Sequence, residues 1–88
     1  MNFLHYEIDA EDGDVVEVTL DRQANVRLLD GSNFSSFRSG RRHSYHGGLA
    51  KKSPVRLAPS RAGHWHVVVD LGGYAGTVRA AVRVLRSP

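Results

Sequence analysis

Apolar residues recur at every second position along most of this chain, and this period limits what it can fold into. Val16, Val18 and Leu20 alternate with Glu17 and Thr19. The same alternation recurs at residues 4–8, 26–28, 55–57, 64–71 and 77–85. A period of two places one set of side chains in a core and the other in solvent, as in antiparallel strands with one wet face. Because no stretch sustains a helical period, the pattern predicts an all-β fold.

Turn-forming residues between the runs predict an antiparallel β-sandwich, jelly-roll-like, of about six to eight strands in a single domain over residues 1–88. Asp12-Gly13 is predicted to be a hairpin turn between the first two strands, and Gly72–Gly76 a hairpin loop between the last two. Residues 42–46 are predicted to form a strand that turns at Gly47-Gly48. The predicted core consists of Leu4, Tyr6, Ile8, Val16, Val18, Leu20, Val26, Leu28, Val55, Leu57, Trp65, Val67, Val69, Leu71, Val78, Ala80, Val82 and Val84.

A short helical turn is predicted where the alternation lapses. Asp30 or Ser32 can cap it, because their side-chain oxygens accept hydrogen bonds from the free N–H groups of a first helical turn. Phe34 and Phe37 are three residues apart, so one helical face would point both rings inward. The sequence therefore predicts one helical insertion in an otherwise all-β chain.

Charge is divided unevenly along the chain. Residues 1–30 carry eight acids and two bases, whereas residues 31–88 carry ten bases and one acid. Five of the late bases fall in one acid-free stretch, residues 38–52. Guanidinium groups bind phosphate bidentately, ammonium groups act as point charges and tyrosine rings stack on bases. The predicted ligand-binding residues are Arg38, Arg41, Arg42, His43, Tyr45, Lys51, Lys52 and His64.

This basic stretch also has a simpler explanation. It can be a solvated loop that keeps the protein soluble, or it can pair with the acidic first half of the chain. The sequence leaves both interpretations open. The leading hypothesis is a non-enzymatic binding or sensor module whose partner is an anionic small molecule, a nucleic acid or an acidic protein surface.

His64 and His66 lie two residues apart on one face of a predicted strand, a spacing that can chelate zinc or copper. A third ligand is needed, and Asp70 is about 13 Å farther along the strand, too far to serve. The candidates for that ligand are His5, His43 and His46. The alternative is two partly exposed histidines that flank a buried Trp65. Metal binding is therefore the third hypothesis, and the sequence predicts no cofactor.

Catalysis has little support in the sequence, which predicts no enzyme. There is no cysteine for a thiolate nucleophile and no Gly-x-Ser-x-Gly elbow. The strand carboxylates Glu17 and Asp70 have no evident partner. The absence of cysteine suits a cytoplasmic location, and no apolar run approaches the roughly 20 residues of a membrane helix.

The second functional hypothesis is a protein–protein adaptor or a self-associating homodimer. Exposed strand edges and opposite charges at two patches are the features that favour it. If Arg27, Arg56, Arg79 and Arg83 form one outer stripe, that stripe could meet an acidic surface.

Five stretches together resemble a known family: Gly13–Val18, Ala24–Asp30, Ser32–Phe34, Gly40–His43 with Gly47-Gly48, and Gly63–Tyr74. Over nearly its whole length the chain resembles a small bacterial family of uncharacterised proteins, domain of unknown function (DUF) family eighteen eighty-three. The resemblance implies a small β domain, alone or joined to a TIR-type signalling domain, and it carries over no catalytic residue. A looser likeness to carbohydrate-binding jelly-roll domains rests on architecture alone.

Overall fold

Seven strands and one helix make up the computed structural model, which describes residues 2–88. The elements are β1 (Leu4–Ala10), β2 (Val15–Leu20), β3 (Ala24–Asp30), α1 (Gly31–Arg38), β4 (His46–Ala50), β5 (Val55–Leu57), β6 (Gly63–Asp70) and β7 (Ala80–Leu85). They form two antiparallel sheets, a four-stranded sheet in the order β1-β6-β3-β4 and a three-stranded sheet in the order β5-β2-β7. The predicted all-β sandwich is confirmed. No helix within residues 2–88 has the length and apolar character needed to cross a membrane.

The main core lies between the two sheets. Val16 and Val18 of β2 face Val26, Val67 and Val69 of the other sheet, and all five are fully buried. The predicted inward faces are confirmed, since every predicted core residue except Val84 belongs to this cluster or packs against it. Period-two alternation therefore identified the correct face of the strands that bound the core.

Strand β6 is buried on both faces, which the alternation did not predict. Val68 points away from the main core and packs with Leu29, Phe34 and Phe37 in a second apolar cluster. The helix that carries the two phenylalanines begins after Asp30, whose carboxylate accepts a hydrogen bond of 2.8 Å from the backbone N–H of Asn33. Asp30 is thus the cap, and α1 covers part of the outer face of the four-stranded sheet.

Three predicted turns are wrong, because the sequence marks a turn but not the sheet that the next strand joins. The Asp12-Gly13 turn links β1 to β2 and Gly72–Gly76 leads from β6 toward β7, so both cross between sheets instead of closing hairpins. Residues 42–45 precede β4 and are not a strand, and Gly47 and Gly48 lie inside β4 with φ of 109° and 147°. Glycine tolerates such angles in an edge strand.

The last strand is also shorter than predicted. Residues 77–79 are not part of it, and β7 begins at Ala80. Beside the start of β7, the backbone N–H of Asp21 donates to the carbonyl of Arg79 at 3.1 Å, but the backbone N–H of Arg79 donates to the carboxylate of Asp21 at 2.8 Å. This side-chain contact replaces the bond that a strand partner would make.

Two strand carboxylates that were predicted to lack partners are paired. Glu17 accepts hydrogen bonds from Arg56 at 3.0 Å and from Arg83 at 2.6 Å, on the outer face of the three-stranded sheet. Asp70 forms an ion pair with Arg27 on the other sheet. The four arginines therefore do not form one stripe, because Arg27 lies on one sheet, Arg56 and Arg83 lie on the other, and Arg79 precedes β7; three of the four are paired with acids.

Candidate functional site

A histidine–glutamate cluster, formed by Glu7, His64 and His66, lies on the outer face of the β1–β6 pair. The antiparallel register places Glu7 opposite His66 and Asp9 opposite His64. Residues directly opposite one another on one face of a sheet have Cβ atoms roughly 5 Å apart. One ligand atom from each member of the cluster lies within 4.8 Å of the other two. The strand pairing alone thus brings two imidazoles and a carboxylate together.

His64 is held between two carboxylates. Its Nδ1 donates to Asp9 at 2.8 Å and its Nε2 donates to Glu7 at 2.9 Å. The Asp9 carboxylate, followed by Glu7, raises the pKa of His64, and the hydrogen bond from His64 lowers the pKa of Glu7. Because both ring nitrogens donate, this geometry is that of an imidazolium. A metal ion that binds Nε2 would take the place of one proton, and Asp9 would keep its bond to Nδ1.

His66 has a different environment. It is buried, its ring stacks on Phe34 with a centroid distance of 4.3 Å, and its Nδ1 lies 2.9 Å from Nε2 of His5. Burial is the largest cause that lowers the pKa of His66. The neutral form is the one that offers a lone pair to a metal. In the tautomer whose Nδ1–H donates to Nε2 of His5, the lone pair lies on Nε2 of His66, and Nε2 is the nitrogen that remains for a ligand bond.

Two imidazoles and one carboxylate form a ligand set that proteins use for zinc with one coordination position left for water. Each histidine of the cluster has a second partner that orients its ring, Asp9 for His64 and His5 for His66. The side chains of His64 and Glu7 are 49% and 56% exposed, so an ion can reach them from solvent. The arrangement can bind a metal ion at the surface without rebuilding the fold.

Sequence reasoning identified two members of the cluster and missed the third. Of the candidates His5, His43 and His46, only His5 reaches the cluster, and it contacts His66 instead of completing the ligand set. Glu7 completes the set, and the pairing register of β1 with β6 is the information that reveals it. The exclusion of Asp70 agrees with its place beside Arg27.

The eight predicted ligand-binding residues fall in three places. Arg38 ends α1, and Arg41, Arg42, His43 and Tyr45 follow it before β4. Lys51 and Lys52 follow the far end of β4, a strand of five residues that spans about 13 Å. His64 lies with carboxylates in the cluster described above.

Among the surface cavities formed by residues 2–88, one of about 250 Å³ is lined by Tyr45 and by no other residue of the predicted set, and another of about 640 Å³ is lined by none of the set. The structure therefore divides the basic stretch instead of gathering it around one concavity. Anion binding by its members stays a prediction.

Comparison with known proteins agrees with the resemblance in the sequence. A family model described as Domain of unknown function (DUF1883) matches residues 1–88, the whole chain. No curated protein and no solved structure matches.

Proposed function

The chain belongs to the DUF1883 family, and we propose that it binds a divalent transition-metal ion, zinc above all, through Glu7, His64 and His66. The observation that carries the proposal is the approach of three ligand atoms to within 4.8 Å of one another on two paired strands. The orienting partners of both histidines support it, because a histidine that binds a metal almost always has a hydrogen-bond partner on its other ring nitrogen.

The donor set favours zinc over the hard cations. Magnesium and calcium prefer six or more oxygen ligands, which this cluster does not provide. Imidazole nitrogen suits zinc, copper and nickel, and zinc accepts two histidines with one carboxylate in tetrahedral geometry. Copper competes by affinity alone, since divalent copper binds most nitrogen sites more tightly than zinc does.

The proposed metal site has one open coordination position. Three protein ligands leave a fourth position for water or for an outside ligand. His66 is fixed by burial and by Phe34, whereas Glu7 and His64 are exposed and can close on the ion. The proposed role is that of a metal-binding module, and the fourth ligand is the point at which a partner would attach.

Isothermal titration calorimetry of the folded chain with zinc chloride tests this proposal. We expect one zinc ion per chain and release of protons, because Nε2 of His64 must lose its proton. His64→Ala and Glu7→Gln should each weaken zinc binding at least tenfold, and Asp9→Ala by about 10- to 100-fold through loss of the orienting bond. Magnesium chloride should give no heat of binding.

Matched controls come from histidines outside the cluster. His43→Ala and His46→Ala remove the same donor group from residues that lie elsewhere, and zinc affinity should not change. Circular dichroism establishes that each variant is folded. The proposal is overturned by the absence of zinc binding to the folded wild-type chain. Equal affinity in wild type and His64→Ala overturns it as well.

A further inference from the structure

We infer that a second site, separate from the histidine–glutamate cluster, binds a nucleotide at the segment Arg41–Tyr45. The basic residues of the chain differ in whether they form an ion pair with a carboxylate. Five arginines form ion pairs with carboxylates: Arg27, Arg56, Arg61, Arg83 and Arg86. Within residues 2–88, none of the ion pairs involves Arg41 or Arg42, and the Arg41 guanidinium donates one hydrogen bond of 3.4 Å to the uncharged hydroxyl of Ser39. Their guanidinium groups are therefore available to an outside anion, and phosphate is an anion that guanidinium binds bidentately.

A cavity of about 250 Å³ is lined in part by Ser44 and Tyr45, which follow this pair of arginines in the chain. It is lined by Asn33, Ser44, Tyr45, His46, Arg61 and Trp65, among others. Sites for drug-sized ligands occupy roughly 300–1,000 Å³, so this cavity suits a single ring system. Its wall combines aromatic rings with amide and hydroxyl groups, which are the groups that stack on bases and bond to their edges.

Charge inside the cavity does not oppose an anion. Asp30 also lines it, but its carboxylate accepts a hydrogen bond of 2.9 Å from Arg61 and two more from Asn33. The ion pair offsets the negative charge. Arg41 and Arg42, two to four residues before the cavity-lining Ser44 and Tyr45, add positive charge that no acid of the same segment offsets.

The segment is held in place before any ligand arrives. The backbone N–H of Arg41 donates to the carbonyl of Ser36 at 2.8 Å, and that of Ser44 donates to the side chain of Asn33 at 2.7 Å. The guanidinium of Arg27 lies 5.3 Å from the ring centre of Tyr45, which is 44% exposed. A pre-organised site loses little entropy on binding. The ligand that fits this arrangement is a nucleotide whose base stacks on Tyr45 and whose phosphate binds Arg41 and Arg42.

The chemistry is shared by a free nucleotide and by a nucleotide within a single strand, so the experiment uses both. Fluorescence anisotropy measures binding of a fluorescein-labelled ten-nucleotide RNA, and calorimetry measures binding of adenosine monophosphate. We expect Arg41→Ala/Arg42→Ala to weaken RNA binding at least tenfold and to reduce the slope of log K against log salt by about 1.4. Tyr45→Ala should weaken binding about tenfold and leave the slope unchanged.

Lys51→Ala/Lys52→Ala is the matched control, because it removes two charges from the same basic stretch at the far end of β4. It should change affinity less than threefold. If adenosine monophosphate binds and the Arg41→Ala/Arg42→Ala variant weakens this binding as well, a free nucleotide is a sufficient ligand. If RNA binds and adenosine monophosphate does not, the ligand is a nucleotide within a single strand. The inference is overturned if neither binds at low salt. It is also overturned if the lysine variant loses as much affinity as the arginine variant.

Discussion

Replacing Asp70 by alanine tests how the outer face of the four-stranded sheet is held together. The Asp70 side chain is fully buried and accepts hydrogen bonds from Asn25 at 3.0 Å and from the backbone N–H of Gly72 at 2.7 Å, in addition to its ion pair with Arg27. The Arg27 side chain is only 19% exposed, and it packs over Phe37. Alanine would remove the acceptor and leave a nearly buried guanidinium without its charge partner.

Removal of one partner from a buried ion pair costs about 3–5 kcal/mol. Because Arg27 retains some access to water, we expect the lower end, about 3 kcal/mol. The two lost hydrogen bonds act on the same group, so their costs overlap with this figure instead of adding to it. A domain of this size has a free energy of unfolding of about 4–13 kcal/mol, so the variant should be clearly weakened but folded.

Urea denaturation followed by the fluorescence of Trp65 measures the effect, with Glu11→Ala as the control for loss of an exposed carboxylate. We expect a fall in the midpoint of at least about 1 M urea for Asp70→Ala and a change within about 0.5 kcal/mol for the control. Arg27→Met together with Asp70→Ala should recover part of the loss, because no charge is then left buried. A loss below about 1 kcal/mol for Asp70→Ala would refute this account of the pair.

Three other expectations concern separate parts of the molecule. The hydrogen bond from Arg83 lowers the pKa of Glu17, so this contact stabilises the fold at neutral pH. The contribution is lost as the pH falls through the folded-state pKa of Glu17. Thermal melts should therefore show that Glu17→Gln is less stable than wild type at neutral pH and equally stable in acid. Gly47→Ala should destabilise by at least about 1 kcal/mol more than Gly48→Ala in urea, because both have positive φ but a Cβ at Gly47 alone would meet a backbone carbonyl oxygen. Phe34→Ala should cost about 3 kcal/mol in the same assay and weaken zinc binding, because His66 loses the ring on which it stacks.

Much of the fold could be predicted from the period of the apolar residues. Alternation in Val16–Leu20 and in the later strands fixed which side chains face the core, because a one-residue shift would expose the whole set. The cap at Asp30 and the inward phenylalanines followed from local chemistry. The sheet to which each strand belongs could not be predicted. The turn sequence Asp12-Gly13 is the same whether the next strand pairs with the previous one or crosses to the other sheet.

Only part of the candidate site could be predicted, because the sequence shows which residues share a strand face but not which strands are neighbours. His64 and His66 share a strand, so their common face is visible in the sequence. Glu7 lies far from them in the chain and joins them only through the register of β1 with β6. The ion pairs of Glu17 and Asp70 were also missed, since each depends on which strand lies next to which. Contacts between neighbouring strands, not composition, decide these features.

Long-range ¹H–¹⁵N NMR of the imidazole rings, recorded with and without zinc, tests the central claim most directly. It reports which ring nitrogen of each histidine carries a proton or a metal. We expect zinc to shift Nε2 of His64 and Nε2 of His66, with Nδ1 of His64 still protonated and bonded to Asp9. The rings of His43 and His46 should not change. Zinc-induced shifts at those two histidines, with His64 and His66 unaffected, would contradict the account.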